Sequence, residues 1–394
     1  MFYLKLFKYT KMSLLILFIF GFFSSSFSQT NQALILGAKQ MHEYLPELMN
    51  KKVAVVANQT SVIDQTHLID TLLACNVSIT KVFAPEHGFR GKADAGAQIN
   101  NEIDFKTNLP IRSLYGKNKK PKAYDLLEVD VMIFDIQDVG ARFYTYISTL
   151  HFVMEACAEN NIPLLVLDRP NPNGHYVAGP VLDTAYQSFV GMHPVPIVHG
   201  LTVGEYAQMI NGSFWLKDSI QCDLRVQEMK NYTHRTPYDL PIKPSPNLPN
   251  TQSISLYPSL CLFEGTDISV GRGTSSQFQI IGSPKLDSCS HIFQPISREG
   301  AQYPKHENLM CRGWDLSKFD IEDRLNLSFL IECFEQYNSK GLTFFNSFFD
   351  KLAGSNKLRV LIEAGWSEQQ IVNSWQDELD QFKLKRTNYL IYPE

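Results

Sequence analysis

Four short strings concentrate the side chains that could move protons or hold a polar ligand. The first is Pro85-Glu86-His87-Gly88-Phe89-Arg90-Gly91. A carboxylate flanked by His87 and Arg90 on a glycine-punctuated loop suits acid or base work, because neighbouring charge and burial can tune its pKa. The bland alternative is an ion-pair network that only ties the loop down. The second string, Phe134 to Tyr146, holds Asp135, Gln137 and Asp138, which offer hydrogen bonds to hydroxyls. Its Arg142 could neutralise an anionic substituent, and Tyr144 and Tyr146 offer flat faces to a sugar ring. Structurally, Asp138 could equally be a helix cap and the tyrosines core. The third string, Leu167 to Gly174, adds Asp168, Arg169 and Asn171 in a loop stiffened by Pro170 and Pro172. Pairing of Asp168 and Arg169 with each other or with neighbours is the alternative there. The fourth, Phe263 to Thr274, brings Glu264 as a further acid candidate and sets Arg272 between Gly271 and Gly273. Glycines there let backbone approach a ligand, and a guanidinium can hold a carboxylate by two parallel hydrogen bonds. Otherwise the segment is a solvated surface loop.

These groups act together only if something brings them together. The run Lys52 to Ala57 (KVAVVA) reads as a buried strand ending at Asn58, Gln59 and Thr60, and the pattern returns at Ile79 to Ala84, Val129 to Phe134 and Pro163 to Leu167. Each run ends in polar chemistry: Asn58, Glu86, Asp135 or Asp168. Helical stretches at Thr66 to Cys75 and Tyr144 to Asn160 between them predict right-handed parallel crossovers, hence an α/β fold with an open doubly wound sheet. Ligands bind such sheets outside the carboxyl ends of the strands, so Glu86, Asp135, Asp138 and Asp168 are expected to face one crevice. From Pro237 to Pro258 the composition shifts to Pro and Ser, which predicts a rigid extended connection and a domain boundary near residue 250. Helical patterns at Leu327 to Asn338, Phe344 to Ala353, Lys357 to Ala364 and Glu368 to Lys383 predict a smaller mixed α/β second domain.

Composition narrows the partners. The 394 residues carry a formal net charge of −4 without a basic cluster, so nucleic acid is an unexpected partner. No Walker or dinucleotide glycine fingerprint suggests nucleotides, and no G-x-S-x-G elbow or zinc-ligand motif supports an esterase or amidase. Lys5, Lys8 and Lys11 precede an apolar run from Leu14 to Phe23 and then a serine-rich stretch, which predicts a signal peptide over residues 1–28. That run is about half the ~20 residues a spanning helix needs, so the mature chain is expected to lack a membrane span and to reach the periplasm or the exterior. The seven cysteines include no C-x-x-C pair, and most read as buried thiols. Export makes a disulfide possible, with Cys289 and Cys311 the pair to check.

The strings point further when read in order: NQT (58–60), PEHGFRG (85–91), SLYG (113–116), FDIQDVGARFYTYIST (134–149), LDRPNPNG (167–174), GPVLD (179–183), HGLTVGEYA (199–207), PSPNLP (244–249) and FEGTDISVGRGT (263–274). With LAGSNKLR, GWSEQQIVNSW and the closing YLIYP, they resemble the NamZ-type exo-β-N-acetylmuramidases from about Lys52 to the C-terminus. The resemblance implies a Rossmann-like catalytic domain over residues 29–250, a smaller C-terminal domain over 251–394 that completes the cleft, and no cofactor. It further implies release of N-acetylmuramic acid from the non-reducing end of β-1,4-linked peptidoglycan fragments, with the catalytic glutamate at Glu86. Glycoside hydrolases commonly use two carboxylates. Asp135, Asp138 and Glu264 are the contenders for the second. Muramic acid differs from N-acetylglucosamine by a lactyl ether bearing a carboxylate, so selectivity calls for a cation: Arg90, Arg142, Arg169 or Arg272. One departure from the pattern is Asn173, where an apolar residue is expected. The rival reading is an exported protein that binds muropeptides without catalysis.

Overall fold

Val53, Val55 and Ala57 project to one side of their strand and Ala54 and Val56 to the other, and each set lies in a separate apolar core. A strand apolar on both faces belongs in the middle of a parallel sheet covered on both sides. That is where a computed structural model, describing residues 33–89, 101–287 and 289–394, places it. The segment read as a signal peptide and Arg90 lie outside the described residues.

The main sheet has seven strands in the order Glu102–Ile103, Pro110–Ser113, Ser78–Ala84, Lys52–Ala57, Val131–Asp135, Leu164–Leu167 and Leu224–Gln227. All neighbours pair in parallel except the short edge strand Glu102–Ile103. The chain winds outward from Lys52–Ala57 in one direction and then, from Val131–Asp135, in the other, so a topological switch point lies between those two strands. Helices Met41–Leu48 and Leu68–Ala74 cover one face through Tyr44, Leu48, Leu68, Ile69 and Leu72. Helices Tyr146–Glu159 and Val203–Gly212 cover the other.

The C-terminal part is smaller: a three-stranded antiparallel sheet with Cys311–Asp315 between Ile280–Ser283 and His291–Phe293, followed by five short helices from Ser328–Ser339 to Gln376–Arg386. Its Leu330, Phe349, Leu358 and Phe382 join the same core as Ala54 and Phe134, so apolar contact is continuous from the sheet into this part. No described helix is long and apolar enough to cross a membrane.

Three expectations change. The extended connection does not reach Pro258, because helix Thr251–Leu260 begins inside it. Asn250 caps that helix by accepting the Ser253 N–H at 2.9 Å, and Ser253 closes a capping box back to Asn250. The helix expected over Glu368 to Lys383 breaks at buried Trp375 into Glu368–Ser374 and Gln376–Arg386. All seven cysteines are free thiols. Strand register sets Cys311 opposite Phe293, and Cys289 lies before that strand begins.

The C-terminal YLIYP segment returns to the sheet. Tyr392 Oη donates to Asp168 Oδ2 at 2.7 Å and accepts the Met229 N–H at 2.9 Å, while Glu205 Oε1 accepts the Ile391 N–H at 2.9 Å. Removing the hydroxyl leaves the buried Met229 N–H unsatisfied and takes one donor from Asp168, a loss of about 1–3 kcal/mol. Tyr392→Phe is therefore expected to unfold at a lower temperature than the wild type by calorimetry. An unchanged transition would show that the Tyr392 hydroxyl adds nothing to the fold.

Candidate active site

Glu86 leaves the end of Ser78–Ala84 on a turn with two consecutive left-handed residues, His87 at φ 70° and Gly88 at φ 77°. The Gly88 N–H closes the turn onto Pro85 O at 3.0 Å. A non-glycine residue at positive φ is strained, and such strain gathers where a side chain must be aimed. The aim is fixed by Thr145, whose Oγ1 donates to Glu86 Oε2 at 2.7 Å from the N-terminus of helix Tyr146–Glu159.

Opposite stands Glu264, in the short 3₁₀ turn Cys261–Gly265, where Gly265 is required because a Cβ would come within 2.4 Å of Phe349 Cα. Arg272 binds Glu264 through Nε at 2.8 Å and Nη2 at 2.6 Å, and both bonds fall on Oε1. Burial opposes the charge on Arg272, but the Glu264 carboxylate outweighs it and holds the guanidinium protonated. The Arg272 guanidinium also lies 5.2 Å over the Phe278 ring. The flanking glycines are not open to a ligand as expected from the sequence. Both have positive φ, and their faces press on Ser276 O, Ile280, Ile296 O and Pro304.

Glu86, His87, Tyr144, Glu264 and Arg272 line one cavity of about 230 Å³. Ser245, Leu248 and an aromatic wall that includes Tyr115, Tyr257 and Phe278 complete it. Tyr144 and Tyr146 stand edge to face at 4.8 Å, and both hydroxyls donate to Pro244 O, at 2.8 and 3.2 Å, which straps the Pro-rich segment across the sheet rim. Burial raises both phenols well above their ordinary range, so they stay neutral donors.

The remaining candidates lie elsewhere, and the expectation of four strand-end carboxylates in one crevice does not hold. Asp135 is fully buried in a two-bond pair with Arg169, at 2.6 and 2.9 Å. Asp168, also fully buried, accepts from Thr202 Oγ1, Gly204 N and Tyr392 Oη, and not from the Arg169 side chain. Burial raises it to about 6 against those donors. Gln137 Nε2 donates to Asp138 O and Pro170 O, and Asn58 Oδ1 accepts from Thr60 N and Oγ1 in a local turn. Arg142 is fully buried; its Nη1 and Nη2 donate to Pro180 O, Val195 O and Leu352 O while Nε is buried without a partner, and it does not line the cavity. Asn173 fits its interior position by donating to Val139 O at 2.8 Å and Ile254 O at 3.3 Å. Thr145, Ser245, Tyr257 and Phe278 were not singled out in the sequence. Thr145 carries a signal there as a hydroxyl between two tyrosines in the second string, and Ser245 lies in PSPNLP; Tyr257 and Phe278 carry none. Among the described residues no group of three or more His, Cys, Asp or Glu is arranged to hold a metal ion.

Asp138 Oδ1 accepts the Gly140 N–H at 2.8 Å, while Oδ2 is buried without a partner. Burial pushes this carboxyl up to about 7, and the backbone N–H groups of Gly140 and Val139 only partly oppose that. An acid whose folded pKa is raised binds more protons folded than unfolded, so it lowers stability progressively as pH rises from about 4 to about 7. Asp138→Asn keeps the acceptor and removes the charge. Its unfolding temperature relative to wild type is expected to climb across that window and level off above it. A gap that is constant with pH would contradict the assignment.

The family models described as Exo-beta-N-acetylmuramidase NamZ, N-terminal and C-terminal, match residues 53–252 and 255–392. Peptidoglycan beta-N-acetylmuramidase NamZ of Bacillus subtilis (strain 168) is 40% identical over 373 residues, which cover 89% of either chain. A crystal structure of a DUF1343 family protein from Bacteroides fragilis NCTC 9343 superposes with a TM-score of 0.86 at 46% identity, covering 92% of this chain and 99% of that one. A second DUF1343 protein from the same organism gives 0.77 at 29% identity, covering 91% and 99%. Two family models end to end and identity sustained over that length place the chain in the NamZ exo-β-N-acetylmuramidase family.

Proposed function

We propose that the chain acts from the non-reducing end of β-1,4-linked peptidoglycan fragments, hydrolysing off terminal N-acetylmuramic acid with Glu86 and Glu264 as its two working carboxylates. The observation that carries this is the meeting of Glu86 and Glu264 in one cavity from segments far apart in the chain. A cavity of about 230 Å³ suits one terminal sugar better than a run of them, which is the geometry of an exo-acting enzyme. Glu86, held through Oε2 by Thr145, acts as the acid that protonates the leaving oxygen. Glu264, with Oε1 occupied by Arg272, serves as base or nucleophile through its other oxygen.

Arg142 and Arg169 are committed to buried bonds, whereas Arg272 stands at the cavity wall and is the cation we assign to the lactyl carboxylate among the described residues; Arg90 lies outside them. Arg272 already pairs with Glu264 Oε1, so the lactyl carboxylate would be received by the guanidinium N–H groups left over from that pair, and a substrate without it forgoes those bonds. Export to the periplasm or the exterior through residues 1–28 belongs to the same proposal, since the substrate is cell-wall material.

The test is hydrolysis of a chromogenic β-N-acetylmuramide beside the matching N-acetylglucosaminide. Wild type is expected to cleave only the muramide, and Glu86→Gln to lose ~10²-fold or more in kcat, the scale of a lost general acid. Folded wild type that cleaves neither the muramide nor a muramyl disaccharide would contradict the proposal and favour a binding protein. Full activity in Glu86→Gln would contradict the assignment of the acid.

A further inference from the structure

The turn that presents Glu264 directs three of its backbone carbonyls at one point, and a lysine fills that point. Lys305 Nζ donates to Phe263 O at 3.3 Å, Thr266 O at 2.5 Å and Ile268 O at 3.1 Å. An ammonium group has three N–H donors and no acceptor, so three converging carbonyls satisfy it completely. The three carbonyls bracket Glu264, one before it in the chain and two after. Without the cation, the Thr266 and Ile268 carbonyls would lose this partner and the turn would have to open to rehydrate them, while Phe263 O keeps the Thr266 N–H at 3.0 Å and Thr266 Oγ1 at 2.8 Å. Burial pulls the Lys305 pKa down, while the charges of Glu264 and Asp267 pull it back up. The next residue repeats the pattern, since His306 Nε2 binds Asp267 O at 2.6 Å.

The segment bearing Lys305 also reaches the other cleft walls. The Ile296 N–H donates to Gly273 O at 3.0 Å beside Arg272, and Asn247 Nδ2 donates to Gly300 O at 2.7 Å beside Leu248. Lys305 itself is absent from the cavity lining, so any influence it has on the reaction passes through Glu264.

We propose that Lys305 is a positioning residue for the hydrolysis: a built-in cation that gathers the Phe263, Thr266 and Ile268 carbonyls and thereby sets the direction from which Glu264 enters the cleft. This rests on reading Glu264 as the second carboxylate. Arginine is no substitute, because no single guanidinium nitrogen carries three donors, whereas the three carbonyls here converge on one atom.

The experiment measures kcat and KM on the chromogenic muramide for wild type, Lys305→Ala, Lys305→Arg and Glu264→Gln, with near-ultraviolet circular dichroism to count folded molecules. Lys305→Ala is expected to lose ~10–100-fold in kcat per folded molecule, the range that about 1 Å of misplacement costs, with KM little changed. Propylammonium, which together with alanine rebuilds the lysine side chain, is expected to restore kcat saturably in Lys305→Ala and to do nothing for Glu264→Gln. Lys305→Arg is expected to stay impaired. Wild-type kcat in Lys305→Ala or in Lys305→Arg overturns the proposal. So does a loss in Lys305→Ala that follows the folded fraction and ignores propylammonium, because that is a purely structural role. Should Lys305→Ala not fold, Lys305→Met carries the kinetic comparison, and wild-type kcat there overturns it equally. Full activity in Glu264→Gln removes the reading on which the proposal stands, whereas an inactive Glu264→Gln beside a fully active Lys305→Ala removes the proposal alone.

Discussion

Asp135 and Arg169 face each other with almost no access to solvent, and the shape of the sheet rim follows from the need to keep them paired. A buried charge that loses its partner costs about 3–5 kcal/mol, so the ends of the strands Val131–Asp135 and Leu164–Leu167 must stay in register with each other. Arg169 also donates to Val62 O at 3.1 Å, which draws in the loop after Lys52–Ala57. Ser61 Oγ donates to Asp135 O, and Thr60 Oγ1 accepts the Gln137 N–H at 3.0 Å. The switch point, where a sheet of this winding ordinarily takes its ligand, is thus filled by the protein's own polar groups. The open polar chemistry lies one strand over, on the Glu86 turn beyond Ser78–Ala84.

The same demand, that buried polar groups find partners, joins distant parts of the chain. Arg142 collects carbonyls from Pro180, Val195 and Leu352, and burial brings its pKa down to about 9. Leu352 belongs to the C-terminal part, so this one side chain ties the sheet to the helices beyond it. Gly354 has to be glycine beside it: its φ is 86°, and a Cβ would lie 2.6 Å from Arg142 Nη2. Lys305 makes bonds of the same kind under the Glu264 turn. In both places a cation organises carbonyls from within, and the cavity walls are built on the segments so held.

Much of the sheet was legible because its strands are short apolar runs that end in polar residues, and KVAVVA matches its strand residue for residue. Glu86 was legible as a lone carboxylate just ahead of His87 and Arg90 on a strand-end loop. Asp135, Asp138 and Asp168 looked the same, because a sequence does not state burial: the partner of Asp135 is Arg169 and those of Asp168 are Thr202, Gly204 and Tyr392, all remote in the chain. Arg142 misleads for the same reason, since backbone carbonyls, which leave no mark in a sequence, take up its donors. Prolines at 246, 249 and 258 mask helix Thr251–Leu260 in the sequence, and its Asn250 to Ser253 capping box has Ser where Glu or Gln is the usual signal. Thr145, Tyr257 and Phe278 join the cavity only through tertiary packing, which no local pattern announces.

In the proposed reading the substrate sits between Glu86 and Glu264, away from the switch point of the sheet. The most direct measurement is a crystal structure of Glu86→Gln soaked with a muramyl disaccharide. The account predicts the terminal sugar in the cavity, with its glycosidic oxygen at residue 86, its anomeric carbon facing Glu264 and its lactyl carboxylate toward Arg272. Density for the sugar over Asn58 and Asp135 instead, with this cavity empty, would contradict it.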